Sequence, residues 1–340
     1  GHRVTWFTSY FEQVVRRESI AGIEFIRRGN FITVYFLAFF FYIFSGKKFD
    51  VVIDEIHGIP FFTPFYVRVP KIAFIHEVAE EIWDYMYPFP VNKIGKFFES
   101  FYFLFYKHVL FWTDAPSAID DLVRLGITRS HCKAIACPIQ NEVKTTLPKK
   151  EKDFTSIFVS RVVRMKGIEE VIKAFGFIHK ENKQAKLWIV GGGEKGYVQK
   201  LHKMLYAYGI TDSVKFFGKV TNQQKLSLMA RAHVLLHASV KEGWGLVVIE
   251  AASQATPSVV YSVTGLKDSV KNGKTGMVLL NNSPQEMAKE ALSMFYNKKL
   301  YTIFQRNCLT WANTLSWNTA VSESLALLHK SQRNYEKNYF

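Results

Sequence analysis

The hydrophobic pattern divides the chain into short β-rich runs separated by longer helical ones. Early in the chain, "RVTWFT", "DVVIDE" and "KIAFIHE" have the β-branched and aromatic content of strands. Each ends in polar or glycine-containing residues, where α/β proteins place ligand loops. A second series begins at Phe154. "FTSIFVS", "AKLWIV", "VKFFG", "VLLHAS", "PSVVYS" and "GMVLL" predict strands. Between them, "GIEEVIKAFGFIHK", "YVQKLHKMLYAYG" and "NQQKLSLMARA" predict helices, and another is expected after "KEGWG". Strands alternating with helices imply a parallel sheet covered on both faces. The stretch joining the two series, "QNEVKTTLPKKEKD" (Gln140 to Asp153), is polar, lysine-rich and proline-bearing, which is linker chemistry. The expected architecture is therefore α/β, with two doubly wound parallel-sheet domains facing a cleft.

Two aromatic stretches complicate the first domain. "FITVYFLAFFFYIF" (Phe31 to Phe44) lies between Arg27–Arg28 and Lys47–Lys48, and its 14 residues fall short of a bilayer span of about 20. A buried core helix is the expectation, with an interfacial segment as the alternative. "VNKIGKFFESFYFLFYKHVLFW" (Val91 to Trp112) interleaves Lys93, Lys96 and Lys107 with aromatics. It reads equally as an amphipathic helix on anionic lipid and as a helix packed on the sheet.

Composition narrows the class. The 340 residues are 48% hydrophobic, a globular balance whose length suits two domains. Cys132, Cys137 and Cys308 are too few and scattered for a disulfide framework, and they lack zinc half-site spacing. A reducing, cytoplasmic compartment is expected. No secretory signal opens the sequence, which starts without methionine and reads as an internal fragment. The net charge of +15 is uneven: 18 basic and 15 acidic residues up to Lys150, then 26 and 14. A basic second half points to a phosphate-bearing ligand or an anionic membrane. Nucleic acid is the weakest partner, since no RNA-binding aromatic signature or zinc-finger spacing occurs.

Three stretches carry candidate chemistry. "SRVVRMKG" (Ser160 to Gly167) sets Arg161, Arg164 and Lys166 in a loop at a strand's carboxyl end. A guanidinium and an ammonium approaching from two sides suit a diphosphate, helped by the amides of the next helix. A solvated basic loop is the plainer reading. "GGGEKG" (Gly191 to Gly196) satisfies G-x-G-x-x-G, but Asp212 precedes the next strand instead of ending it, the wrong place to hold a ribose. A tight turn near a ligand is the better reading. "KEGWGLVVIEAA" (Lys241 to Ala252) places Glu242 in a strand-end loop and Glu250 just over a turn into a helix starting near Gly245. Gly243 and Gly245 would allow positive φ and close backbone approach, and Trp244 looks exposed. The spacing fits two ends of one ligand, with the helix's free amides between them.

These stretches, in this order, resemble the retaining GT-B glycosyltransferases of the GT4-like "glycosyl transferases group 1". Lys241 to Ala252 resembles their E-x7-E motif, and "SRVVRMKGIEEVIKAF" their arginine–lysine diphosphate loop. "WIVGGGEKG" looks like the glycine turn, "VKFFGKV" like the loop holding the base through backbone groups near Val220, and "TGLKDSVKNGKTGMVL" like the late glycine-rich segment. "IHEVAEEIW" matches the segment supplying a histidine that faces the donor sugar.

The resemblance implies transfer of a sugar from a nucleotide-diphosphate sugar with retained configuration. Arg161 and Lys166 would neutralise the leaving diphosphate, and Glu250 would hold the ribose. Glu242 and the backbone at Gly243, Trp244, Gly245 and Leu246 would position the sugar, with His76 above it as a candidate to bond its hydroxyl. Two-step retention needs a carboxylate under the anomeric carbon. Front-face substitution assisted by the leaving phosphate is equally compatible, so Glu242 is not assigned as nucleophile. No D-x-D pair occurs, so no metal and no cofactor are expected.

The expected division is an acceptor-side domain over 1–145, a nucleotide-sugar domain over 150–320, and a helix over 321–340 crossing back. The acceptor is expected to be a lipid-linked or surface glycan at the cytoplasmic face of a membrane. The family's first βα unit, roughly 30 residues, has no counterpart, which leaves a non-catalytic sugar-nucleotide-binding homologue or fragment as the alternative. Glu142 and Ala255 stand where the family tends to have glycine, and Lys267 and Asp268 replace a common P-E pair.

Overall fold

In a computed structural model, residues 1–339 are described. Strands β1 (Val4–Thr8), β2 (Arg17–Ile20) and β3 (Ile23–Arg27) form a small sheet in the order β1-β3-β2, with β1 parallel and β2 antiparallel to β3. Helix α1 (Val34–Phe44) leads to a separate parallel sheet of β4 (Val52–Ile56), β5 (Lys71–Ile75), β6 (Leu110–Thr113) and β7 (Cys132–Ala134), ordered as in the chain. Helices α2 (Ile82–Met86) and α3 (Val91–Tyr102) connect β5 to β6, and α4 (Pro116–Arg124) follows β6. The first domain is thus α/β as expected, but its strands form two sheets, not one. Among the described residues, β1 and β4 each pair on one side only.

Neither aromatic stretch is simply buried. In α1 only Val34 is buried, while Phe36, Phe40 and Phe44 face solvent, so the core-helix expectation is overturned. The run from Val91 to Trp112 is not one helix: α3 stops at Tyr102, a 3-10 turn spans Phe103–Tyr106, and β6 begins at Leu110. Tyr102, Phe103 and Tyr106 join the core with Phe111 and Leu122, whereas Ile94, Phe97, Phe98 and Phe101 are exposed. Buried Glu99 of α3 accepts hydrogen bonds from the amides of Ala79 and Glu80, both at 2.7 Å, and from Trp83 Nε1 at 3.1 Å. That buried carboxylate gives the loop after β5 its backbone partners, as buried amides require.

The second domain follows the predicted alternation. Strands β8 (Thr155–Val159), β9 (Lys186–Val190), β10 (Val214–Gly218), β11 (Val234–His237), β12 (Ser258–Val260) and β13 (Gly276–Val278) form one parallel sheet in the order β10-β9-β8-β11-β12-β13. Every residue of β8 and β11 is buried, as suits central strands covered on both faces. The helices are α5 (Ile168–Glu181), α6 (Lys195–Ala207), α7 (Asn222–Arg231), α8 (Leu246–Ser253), α9 (Leu266–Ser269) and α10 (Pro284–Tyr296). Val171, Phe175 and Ile178 of α5 and Met287 and Ala291 of α10 cover one face of the sheet. Leu228 and Met229 of α7 and Val248 and Ala251 of α8 cover the other. Thr221 and Gln224 cap α7 with a reciprocal box.

Helices α11 (Lys298–Thr314) and α12 (Trp317–Tyr339) end the described chain. The last of these lies on the first domain. Leu327 is buried with Ile72, Leu110 and Ile135, Ser331 Oγ donates to the Lys71 carbonyl at 3.1 Å, and Lys133 pairs with Glu323 at 3.0 Å.

Candidate active site

In the second sheet, β8 lies beside β11, and the connections lead away from this pair in opposite directions. Open α/β sheets bind ligands at such a switch point, outside the strands' carboxyl ends. The two loops that emerge there are Ser160–Gly167 and Ala238–Gly245, the two stretches singled out by their chemistry. They are tied together: the Val240 amide donates to the Met165 carbonyl at 3.0 Å, and Ser239 Oγ donates to the same carbonyl at 3.2 Å.

Charged groups converge on this tie. Lys166 Nζ donates to Glu242 Oε1 at 2.6 Å, and His237 Nε2 stands 3.3 Å from the same oxygen. Burial alone would raise the pKa of Glu242. The contacts with His237 and Lys166 outweigh it and hold the carboxyl down at about 2. The half-buried Glu242 is therefore ionised at neutral pH. Glu250, in the second turn of α8, pairs with Lys225 of α7 at 2.7 Å. Arg161 is exposed at the rim and makes no ion pair among the described residues. Arg164 lies over the Tyr85 ring of the first domain, 5.6 Å from its centre. Val220, between β10 and α7, is half-buried and packs on the sheet face that α7 and α8 cover.

The two glycines of "KEGWG" do different work. Gly245 has φ 76° and starts α8, so it supplies the left-handed residue that the turn needs. Gly243 does not have positive φ, contrary to the expectation from sequence. It is a matter of space: a Cβ there would lie 2.8 Å from His76 Cβ. That close approach brings a first-domain histidine against the second-domain turn. His76 follows β5, and its Nδ1 bonds Asp114, a buried residue just past β6. This bond raises the pKa of His76 above the usual imidazole value, against the opposing effect of burial.

Trp244 is buried, not exposed. It packs with Ala115 and Ala118 of the first domain and with Ile249, Ala252, Cys308 and Ala312. Leu246, the first residue of α8, is 44% exposed. Gly191 turns the chain tightly under the Ser160 carbonyl, where a Cβ would come within 1.8 Å of that oxygen. The same boundary is bridged by polar contacts. Buried Lys241 bonds Glu80 and Asp121, the latter at 2.9 Å, with Glu81 at 3.5 Å. Asp268 accepts from the Ser117 amide at 3.2 Å and from its hydroxyl, and so caps α4 across the boundary.

The structure thus brings His76, Lys166, Glu242 and Gly243 together, with Gly245 in the same turn. Glu250 lies further along α8 and is paired with Lys225, Val220 lies just before α7, and Arg161 is exposed in the Ser160–Gly167 loop. Sequence reasoning missed His237, Lys225, Asp114 and Glu77. His237 ends β11, a position that the switch-point rule marks. Glu77 follows His76, and burial together with the Glu242 charge raises its pKa. Lys225 gives no local signal, being 25 residues from the carboxylate it meets.

With this geometry established, comparisons identify similar proteins. The family model described as "Glycosyl transferases group 1" matches residues 139–310, just over half of the chain. An uncharacterized glycosyltransferase of Methanocaldococcus jannaschii is 35% identical over 133 residues, covering 39% of this chain and 33% of that protein. A D-inositol 3-phosphate glycosyltransferase of Streptomyces bingchenggensis is 24% identical over 188 residues, covering 53% of this chain and 41% of the relative. The chain spans less than half the length of these curated relatives. Among solved structures, Anabaena Alr3699/HepE in complex with UDP and glucose superposes with a TM-score of 0.68 at 18% identity, covering 89% of this chain and 86% of that one. This likeness supports the GT-B arrangement of two Rossmann-like domains.

Proposed function

Because the chain belongs to the glycosyl transferases group 1 family, we propose that it transfers a sugar from a nucleotide-diphosphate sugar to an acceptor. The transfer retains the anomeric configuration and uses no metal. One observation carries this reading: the Ser160–Gly167 and Ala238–Gly245 loops meet at the switch point, with His76 of the other domain against Gly243. A donor in this crevice would lie with its diphosphate at Lys166 and Arg161 and its ribose at Glu250. Its sugar would lie between Glu242 and His76.

The groups suit those tasks. Departure of a diphosphate is helped most by fixed positive charge at the developing anion. Lys166 is already held there by Glu242, so little reorganisation is needed. Ionised Glu242 accepts hydrogen bonds from sugar hydroxyls. Asp114 orients the His76 ring and leaves Nε2 for a hydroxyl on the sugar. The amides at the start of α8 add positive potential beside the same ligand.

Lys166→Ala and Glu250→Ala are each expected to weaken nucleotide binding by about tenfold or more, the worth of one charge-assisted hydrogen bond. A thermal-shift panel of nucleotide-sugars, followed by titration of both variants, tests this. Unchanged affinity in both would remove the donor from this crevice.

The acceptor is proposed to be a lipid-linked or surface glycan met at the cytoplasmic face of a membrane. The exposed aromatics of α1 and α3 support that part. Among the described residues no helix is long and apolar enough to cross a membrane. The second reading is a non-catalytic sugar-nucleotide-binding homologue, favoured by the split of the first domain's strands into two sheets. Donor binding without transfer or hydrolysis of the nucleotide-sugar would decide for it.

A further inference from the structure

We propose that Glu55, His57 and His76 form a binding site for a divalent transition-metal ion of the zinc type, and that its occupation shuts the donor site. One ligand atom from each of the three lies within 4.8 Å of the other two. The topology makes this cluster. Strands β4 and β5 are parallel neighbours with Ile56 opposite Ile75, so the next residues, His57 and His76, leave the sheet side by side. Their rings stand 5.5 Å apart. Glu55 lies two residues before His57, on the same side of the strand, with Oε1 at 4.0 Å from His57 Nε2.

The donor set is complete in chemical type. Two imidazoles and one carboxylate, with water in the remaining position, suit zinc and its neighbours and not magnesium or calcium. His76 has the support that metal-ligating histidines have. Its Nδ1 is engaged by the buried Asp114 carboxylate, which fixes the tautomer and leaves the Nε2 lone pair to bind. Phe74 stacks edge-on at 4.7 Å and steadies the ring. His57 is 76% exposed in its side chain, which gives an ion a path in and lets that ring close the remaining distance.

The consequence for transfer rests on the function proposed above. His76 Nε2 cannot hold an ion and a sugar hydroxyl at once, so metal and donor exclude each other. Metal binding itself needs no donor and is tested apart. Untagged full-length chain is titrated with Zn2+ by calorimetry and with Co2+ by visible absorption. One equivalent of metal is expected for the wild type, with at least tenfold weaker binding for His57→Ala and for Glu55→Gln. Absence of binding, or binding that neither substitution weakens, overturns the site. Donor affinity is then measured with and without Zn2+. It is expected to fall at least tenfold with metal in the wild type and to stay unchanged in His57→Ala, which leaves His76 and the donor crevice intact. Metal binding by the wild type with no effect on a measurable donor affinity overturns the competition. A chain that binds Zn2+ at these residues but no nucleotide-sugar confirms the metal site and refutes the function proposed above.

Discussion

Glu242 and Gly243 are adjacent, and the crevice depends on both for different physical reasons. Glu242 is a half-buried carboxylate made stable as an anion by His237 and Lys166. Its pKa falls from 4.5 to about 2 on folding, so its contribution is fully present above pH 4.5 and is lost as the pH drops toward 2. Linkage puts this at about 3 kcal/mol. Unfolding free energy measured across that window should rise with pH in the wild type and rise distinctly less in Glu242→Gln. Gly243 contributes absence of bulk. In Gly243→Ala the methyl would meet His76 at 2.8 Å and push the two domains apart at this contact. Transfer should fall about 10- to 100-fold, the cost of misplacing groups by a fraction of an ångström to one ångström. Circular dichroism should stay unchanged. Full activity in that variant would detach His76 from the reaction.

At the scale of elements, α1 and α3 depart most from ordinary packing. Phe36, Phe40 and Phe44 of α1, and Phe97, Phe98 and Phe101 of α3, are exposed aromatics, and clustered exposed apolar groups mark interaction surfaces. The lysines beside them are not all free for lipid: Lys96 bonds Asp84, and Lys93 stands 3.9 Å from it. Attraction to a membrane would thus come from the aromatics more than from charge. Flotation with anionic vesicles should capture the wild type and retain it at moderate salt. The double variant Phe97→Glu and Phe98→Glu should stay with the soluble fraction, and equal flotation of both would end the membrane assignment.

At the scale of the molecule, the two domains are joined by a core as well as a cleft. Trp244 fills an apolar cluster that both domains line. Around it Lys241 gathers Glu80 and Asp121, and Asp268 caps α4 from the opposite domain. Removing the buried ammonium leaves Glu80 and the buried Asp121 with only the largely exposed Arg124 as counter-charge. Lys241→Ala should therefore cost about 3 kcal/mol or more, read as a lower urea midpoint. A change below about 0.5 kcal/mol would place Lys241 among exposed surface pairs. Asp268 is informative in another way. From sequence it is a departure within a donor-side motif. In the fold it serves the interdomain joint, because the short helix α9 that carries it reaches the start of α4.

The second domain's strands and helices were legible in the sequence because hydrophobic period and turn chemistry are local properties. Its site loops were legible too, since strand ends followed by basic or glycine-rich residues mark a ligand-facing rim. Near-continuous apolar strands such as β8 and β11 read as buried wherever they pack. The tertiary structure alone decided whatever rests on partners distant in the chain. It buried Trp244, left the apolar α1 uncovered, and divided the first domain's strands between two sheets. It also gave Glu250 its lysine and put His57 beside His76. Burial and ion pairing are set by what the other domain or the neighbouring strand brings, and no window along one segment contains that partner.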